Sequence, residues 1–381
     1  MMANSVTIFH NVVWSRHKGV VFSALHSISA ASPIKYSIVQ ISDTETFRLG
    51  FSDVDYSYHR YPMTKLFDGC YEDVPGWRMM SRLTMEVLKT KADLVVLPGY
   101  HRPEYWAMLL ACIVTGKRRA VFCDSTGRDR PRRMLTSIPK RVFFSLCDGY
   151  FGFGERSREY LMSLGAKRER IFIPCQAAAL PWSFVPERAL DDRLMARAGE
   201  KPVFLFVGRL SQEKGLDALL EAFTAVKQQV PEAMLRIVGT GPLDSGLQQK
   251  VAEAGLDDAV SFLGSLQDEA LSREYFAASC LVLPSFSEPW GLVVNEALNH
   301  GCPAVVSDNC GCVPELVIDG VTGYAFRSGD LASLRRTMLS ALEAFADTRA
   351  TATQCMNVIQ RFDPPNAAAN IARGCATMLT S

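Results

Sequence analysis

Short apolar runs, each closed by a glycine or a polar residue, alternate with stretches of helical period along both halves of this 381-residue chain. Residues 5–10 (SVTIFH), 35–42 (KYSIVQIS), 93–99 (DLVVLPG), 119–124 (RAVFCD) and 149–154 (GYFGFG) read as strands. Their apolar residues are mostly continuous rather than alternating, which suits strands buried on both faces of a parallel sheet. Between them, residues 76–91 and 156–165 carry helical spacing, the second stopped by Gly165. Around residues 175–202 the pattern breaks at a proline-marked segment that reads as an interdomain linker. It then restarts with PVFLFVGR as a strand, GLDALLEAFTAVKQQVP as a helix, AMLRIVGTG as a strand and LDSGLQQKVAEAG as a helix. The series continues through CLVLPS, GLVVNEALNHG and PAVVSD. A βαβαβ series in each half predicts an α/β chain of two doubly wound, Rossmann-like sheets. The expected domains are residues 1–180 and 181–364, with a helix at 365–381 packing back on the first.

The eleven cysteines are scattered, only Cys310 and Cys312 lying close together, and no CxxC occurs. Buried thiols in a reducing compartment are therefore expected, and a metal site is not. The first residues lack the basic flank and long apolar core of a signal peptide, and no run approaches the ~20 apolar residues that span a bilayer. A cytoplasmic protein is the expectation. The net charge of +1 hides an asymmetry: residues 1–180 hold 25 Lys+Arg against 16 Asp+Glu, and the rest hold 16 against 24. The basic excess crowds residues 117–141. It reads either as a solvated face, its arginines paired with Asp124, Asp129 and Asp148, or as attraction to an anionic membrane or acceptor. Nucleic acid is not expected, because aromatics do not interleave with the cations.

In open parallel sheets, ligands bind beyond the C-terminal ends of the strands, where helix N-termini present unpaired N–H groups. Three loops of the second half fall there. In VGRLSQEKGLD, Gly208 permits close approach and Arg209 and Lys214 bring two cations to a helix start. Such a pair suits a diphosphate, since arginine binds bidentately and lysine acts as a point charge; two solvated surface cations are the plainer reading. In IVGTGPLD, Gly239 and Gly241 would let backbone approach a ring or phosphate, although the dinucleotide fingerprint is absent. In PSFSEPWGLVVNEALNHG, Glu288 falls in a tight loop, Gly291 opens a helix, and Glu296 falls about one turn inside it. Carboxylates accept hydrogen bonds from sugar hydroxyls, so one of these can hold a transferred sugar and the other a ribose.

The ordered set GRLSQEKG, VGTGP, SEPWGLVVNEAL, GCPAVVSD and GVTGYAF, over residues ~200–330, resembles glycosyltransferase family 4 of the GT-B fold. The family's Glu-x7-Glu motif matches Glu288 and Glu296. The resemblance implies two Rossmann-like domains facing a central cleft, and a retaining transferase that needs no metal or other cofactor. It implies that a nucleotide-sugar donor sits mainly in the second domain. On that footing Arg209 and Lys214 hold the diphosphate, Glu288 the donor sugar and Glu296 the ribose, while backbone at Gly291, Leu292 and Val293 adds N–H groups to phosphate. The implied acceptor is a glycan, a glycolipid or another hydroxyl compound, in cell-surface polysaccharide or glycoconjugate synthesis. Two places depart from the family's pattern. Its glycine-rich loop after the first strand is represented by Gly19 alone, and Asp124-Ser125-Thr126 stands where His-Asp is commoner. Asp124 is therefore either an acceptor-side catalytic group or a turn cap. A lipid-linked acceptor would place the enzyme peripherally at the inner face of the membrane.

Rival readings are a GT-B nucleotide-sugar 2-epimerase, for which no acid–base set is evident, and a non-catalytic nucleotide-sugar-binding subunit, which would not need every donor motif. Asp53-Val54-Asp55 has the spacing of a metal-binding DxD but lies in a polar loop and reads as incidental. Among the histidines, His17 is singled out by its position after the first strand.

Overall fold

The computed structural model describes residues 4–30, 32–48, 53–128, 134–199 and 201–380. Residues 129–133 of the basic stretch, Asp129 included, lie outside the described residues. The chain divides into two compact units: one holds the chain up to Ala179 and again from Phe362, the other Leu180–Arg361, with Arg128 falling in the second.

The first unit is built on seven parallel strands: β1 (Ser5–Val12), β2 (Lys35–Ser42), β3 (Met63–Lys65), β4 (Leu94–Leu97), β5 (Arg118–Cys123), β6 (Gly149–Gly152) and β7 (Ile171–Phe172), in the order 3-2-1-4-5-6-7. All four residues of β4 are fully buried, as expected of a strand covered on both faces. Its helices are α1 (Arg16–Ser29), α2 (Gly76–Lys89), α3 (Pro103–Val114), α4 (Met134–Ser145) and α5 (Glu155–Ser163). One face of the sheet packs on Met79, Leu83 and Val87 of α2, Tyr105, Met108 and Leu109 of α3, and Phe143 and Phe144 of α4. The other face packs on α1 and on the last helix of the chain.

The second unit carries six parallel strands: β8 (Val203–Val207), β9 (Met234–Val238), β10 (Val260–Phe262), β11 (Cys280–Leu283), β12 (Ala304–Ser307) and β13 (Gly323–Phe326), in the order 10-9-8-11-12-13. Its helices are α6 (Ala189–Arg197), α7 (Leu216–Gln229), α8 (Asp244–Glu253), α9 (Asp268–Ala277), α10 (Leu292–Asn299), α11 (Val313–Leu316), α12 (Leu331–Ala344) and α13 (Thr348–Ile359). Asp330 and Asp347 cap α12 and α13 by accepting from Ser333 N and Ala350 N at 2.8 and 2.9 Å. The final helix, α14 (Pro364–Thr380), belongs to the first unit and buries Ala367, Ala368, Ile371, Cys375 and Met378 against Val21, Phe22 and Phe151.

The stretch 175–202, expected to be only a linker, contains α6. This helix is fixed by Arg193, which is 2% exposed and donates to the carbonyls of Tyr275, Phe276 and Ala278 at 2.9, 2.7 and 2.6 Å, covering the C-terminal end of α9. Both sheets reverse their winding beside the first strand, between β1 and β4 and between β8 and β11. That reversal opens a crevice at the C-terminal ends of those strands.

Candidate active site

The crevice of the second sheet receives the loop after β8 and the loop after β11, the two loops that carry the charged motif residues. Backbone contacts weld them together. Phe286 N donates to Glu213 O at 2.8 Å, and a side chain on Gly215 would meet Pro284 O at 2.3 Å. Gly215 is left-handed at φ +70° and opens α7, so the loop can turn this closely only with glycine there. The result is an ion pair between Lys214 Nζ and Glu288 Oε2, 74 residues apart, with side chains 19% and 16% exposed. Arg209 is half-buried at the end of β8 in the same loop.

Glu288 is clamped from its other side. Gly311 N donates to Glu288 O at 2.9 Å, Cys312 N donates to Trp290 O at 3.0 Å, and the buried Trp290 ring donates to Asn295 Oδ1 at 2.7 Å. Gly291, at φ +101°, is the N-cap of α10. The first N–H groups of that helix, at Leu292 and Val293, therefore have no intrahelical acceptor, and its positive end lies beside Glu288. Lys214, Glu288, Gly291, Leu292 and Val293 are thus one cluster at the strand ends. The arrangement can hold an anion between an ammonium and a helix terminus, beside a carboxylate able to accept hydroxyls.

Glu296 lies one turn into α10 and accepts a hydrogen bond from Tyr275 of α9. Burial pushes its carboxyl up to about 7, and the Tyr275 hydrogen bond acts in the opposite direction.

Protein backbone fills the space on one side of each glycine of the second loop. A side chain on Gly239 would come within 1.9 Å of Gly208 O, and one on Gly241 within 2.4 Å of Leu210 O. Their bareness serves the neighbouring protein loop: Leu210 N donates to Thr240 O and Gly208 N to Val238 O, each at 3.0 Å. Gly19 likewise lies inside α1, where the space beside its Cα is filled by Tyr58 O at 2.9 Å and the His59 ring at 3.1 Å. It opens no room for a ligand on that side.

Asp124 is exposed just beyond β5 in the first unit. Near it lies a group that sequence reasoning missed. Lys18 is 3% exposed, its Nζ stands 4.6 Å from the Phe122 ring and 5.1 Å from the Phe153 ring, and it has no hydrogen-bond partner among the described residues. Burial lowers its pKa and the Asp124 charge opposes that shift. The pattern HKG gave no sign of a buried lysine, since lysine is ordinarily a surface residue. Burial, then the Lys18 charge, hold the pKa of His17 well below the usual histidine range. Asp55 of the DxD caps the turn Tyr56–Tyr58 and pairs with Arg16 at 3.3 Å, a structural role that accounts for it. Asp148 accepts from Arg119 N at 2.9 Å, so one acid near the basic stretch is already engaged.

A cavity of about 660 Å³ runs beside α9, walled by Phe184, Met195 and Phe276 with Ser183, Glu269 and Arg273 at its polar edge. None of the motif residues lines it. Among the described residues no group of three His, Cys, Asp or Glu is placed to hold a metal, and no helix is long and apolar enough to cross a membrane.

Residues 190–353 match the family model described as glycosyl transferases group 1. A D-inositol 3-phosphate glycosyltransferase of Nocardia farcinica is 34% identical over 286 residues, covering 68% of this chain and 62% of that protein. The sulfoquinovosyl transferase SQD2 of Arabidopsis thaliana is 36% identical over 155 residues, 39% of this chain and 29% of that protein. The chain thus spans less than two thirds of the length of either relative. Among solved structures, the lipopolysaccharide outer core galactosyltransferase WaaB superposes with a TM-score of 0.71 at 16% identity, over 98% of this chain and 99% of that one. The Anabaena protein HepE in complex with UDP-glucose superposes with a TM-score of 0.71 at 18% identity, over 98% and 99%. At such identities the likeness speaks for the fold, which is GT-B. The sequence match thus places residues 190–353 among the group 1 glycosyl transferases, and the chain that carries them has the GT-B fold.

Proposed function

We propose that this protein is a retaining glycosyltransferase that moves a sugar from a nucleotide-sugar donor to a hydroxyl of a glycan or glycolipid acceptor, without a metal or other cofactor. The observation that carries the reading is the Lys214–Glu288 ion pair at the positive end of α10, in the crevice of the second sheet. Breaking an anomeric bond builds negative charge on the departing diphosphate. Cations and helix N–H groups aimed at that charge stabilise the transition state more than the ground state. Arg209 and Lys214 take that role, with N–H groups from the first turn of α10. Glu288 accepts hydroxyls of the transferred sugar, Glu296 those of the ribose, and Asp124 acts on the acceptor side. Proteins of this fold solved in complex with UDP-glucose, and with UDP and GlcNAc, favour a UDP-sugar.

The acceptor is read from the first unit. The helices on one face of its sheet leave large apolar side chains outward: Trp77 at 73% exposure, Met80 and Leu88 on α2, and Leu110 and Val114, at 83%, on α3. Arg78, Arg82 and Lys89 share α2 with them, and Lys117 and Arg118 follow α3. Apolar groups interleaved with cations suit an anionic membrane surface, where each cation contributes about 1 kcal/mol. The reading is therefore a peripheral enzyme at the cytoplasmic leaflet acting in cell-surface glycoconjugate synthesis. The eleven buried thiols accord with a reducing compartment.

A donor-hydrolysis screen across common nucleotide sugars tests the core of this reading. One donor should be turned over by the wild type and lost on Lys214→Ala. Absence of turnover with every donor, in the presence of a broad acceptor mixture, would overturn it.

A further inference from the structure

Glu296 is held by more than its own helix. Tyr275, 1% exposed on α9, donates its hydroxyl to Glu296 Oε2 at 2.7 Å. The Tyr275 ring lies on the His300 imidazole, with centroids 5.1 Å apart and planes 25° from parallel. His300, the C-cap of α10, sits one turn beyond Glu296. Its Nδ1 is 2.7 Å from Glu296 O, a carbonyl that can only accept, so Nδ1 carries the proton and Nε2 is left to accept from Ser272 Oγ at 3.0 Å. Phe184 and Phe276 close around the same ring at 4.8 and 4.7 Å. A carboxylate on a flexible two-carbon stem is thus tied at one oxygen to a rigid, fully packed phenol.

We propose that Tyr275 is a positioning residue for donor recognition, occupying Oε2 of Glu296 so that Oε1 is presented to the ribose hydroxyls of the nucleotide, with His300 and Ser272 fixing the plane of the Tyr275 ring. This rests on the reading of Glu296 as the ribose carboxylate. Ionised Glu296 accepts two hydroxyls, whereas the protonated acid must spend one oxygen as a donor, so nucleotide affinity falls as the group is protonated. The titratable rings and thiols packed around Glu296 are shifted away from its range. Burial, then Glu296 itself, raise Tyr275 well above the usual phenol range. Burial holds His300 down at about 4, with Arg193 of α6 adding to the effect. The thiols of Cys280, Cys302 and, on α13, Cys355 are all raised by burial. Glu296 therefore sets the acid limb of nucleotide binding, and the Tyr275 hydroxyl keeps that limb from moving to higher pH.

The experiment is calorimetric titration of the full chain with UDP from pH 5.5 to 8.5. Tyr275→Phe keeps the ring and removes only the hydroxyl. It should weaken UDP binding about tenfold or more at pH 7.5, as expected for a hydrogen bond to a charged group, and shift the acid midpoint upward. Ser272→Ala, which frees His300 Nε2, should give the same shift in smaller measure. A change in packing alone would lower thermal stability without moving the midpoint. Wild-type affinity and an unmoved midpoint in both variants would overturn the proposal. If Glu296→Ala also binds UDP at wild-type strength, the ribose assignment fails and the proposal with it. If Glu296→Ala loses binding while Tyr275→Phe does not, only the positioning role fails.

Discussion

Gly239→Ala isolates the contact between the two glycine-bearing loops of the second unit. The new Cβ would lie 1.9 Å from Gly208 O and 2.9 Å from Gly208 C, both backbone atoms that cannot rotate away. Relief to ordinary contact at about 3.4 Å or more requires one loop to move by over 1 Å, since van der Waals separation for carbon is about 3.5–4.0 Å. The residue also sits at φ +134°, where an L side chain adds about 1–3 kcal/mol of backbone strain. Strain and displacement together place the loss at about 2–5 kcal/mol, among the large single-residue effects. Displacement of Gly208 also carries Arg209 with it, and a shift of about 1 Å at a reacting group can cost about 100-fold in rate. Gly246 supplies the matched control: it is exposed in α8, a Cβ there meets nothing within 4 Å, and alanine should stabilise by about 0.5–1 kcal/mol. Urea unfolding of the three proteins, with donor turnover on the same samples, measures both effects. A Gly239→Ala protein as stable and as active as the wild type would refute the reasoning from backbone contact.

Lys214→Ala should lower turnover by about 100-fold or more, because it removes a cation from the leaving group and leaves Glu288 without its counter-charge; steady-state kinetics reads this directly. Chelation with EDTA should leave activity unchanged, and restoration of a lost activity by added Mg²⁺ or Mn²⁺ would count against the metal-free mechanism. For stability, burial raises Glu296 in the folded state to about 7 from 4.5, so the folded protein binds that proton more tightly than the unfolded chain. Its contribution is fully present below pH 4.5 and is lost as pH rises through about 7. The buried His300, lowered to about 4, contributes in the opposite sense over the same range. The diagnostic is therefore the difference between wild type and Glu296→Gln in unliganded melting curves from pH 4.5 to 8, which should grow in favour of the variant as pH rises. Trp77→Ser with Val114→Ser should abolish co-sedimentation with anionic liposomes while leaving turnover of a soluble donor intact.

The strands and the charged residues at their ends were legible in the sequence because both are written in local chemistry. Runs such as those of β4 and β8 have no polar face, and a chain of such runs has few alternatives to a parallel sheet covered on both sides. Glu288 and Glu296 stood out because two carboxylates flanking a glycine helix start serve no amphipathic purpose. What escaped was set by long-range contact. Spacing marks Gly239 and Gly241 as glycines that something approaches, and cannot reveal that Gly208 and Leu210 do so. Tyr275 and His300 carry no local signal, since their contact with Glu296 depends on α9 and α10 meeting. Helix α6 was taken for linker because its prolines come first; the Asp191-Asp192 pair in its first turn was the available signal of a helix start.

The return of α14 to the first unit fixes an order of events during synthesis. The second unit is almost contiguous, Leu180–Arg361, and can close once that stretch has left the ribosome. The first unit, although its strands emerge earlier, has a core cluster holding Val21, Phe22, Leu25 and Phe151 to which Ala367, Ala368, Ile371, Cys375 and Met378 of α14 belong. Two glycines are cut to receive that helix: Gly149 lies under the Met378 side chain, and Gly374 seats against Phe151 and Phe172. Until α14 is translated, the older half of the nascent chain carries an open apolar face while the younger half matures. Chaperone dependence and aggregation on truncation should therefore track the first-made segment, and removal of residues 364–380 should unfold the unit farthest from the cut in sequence.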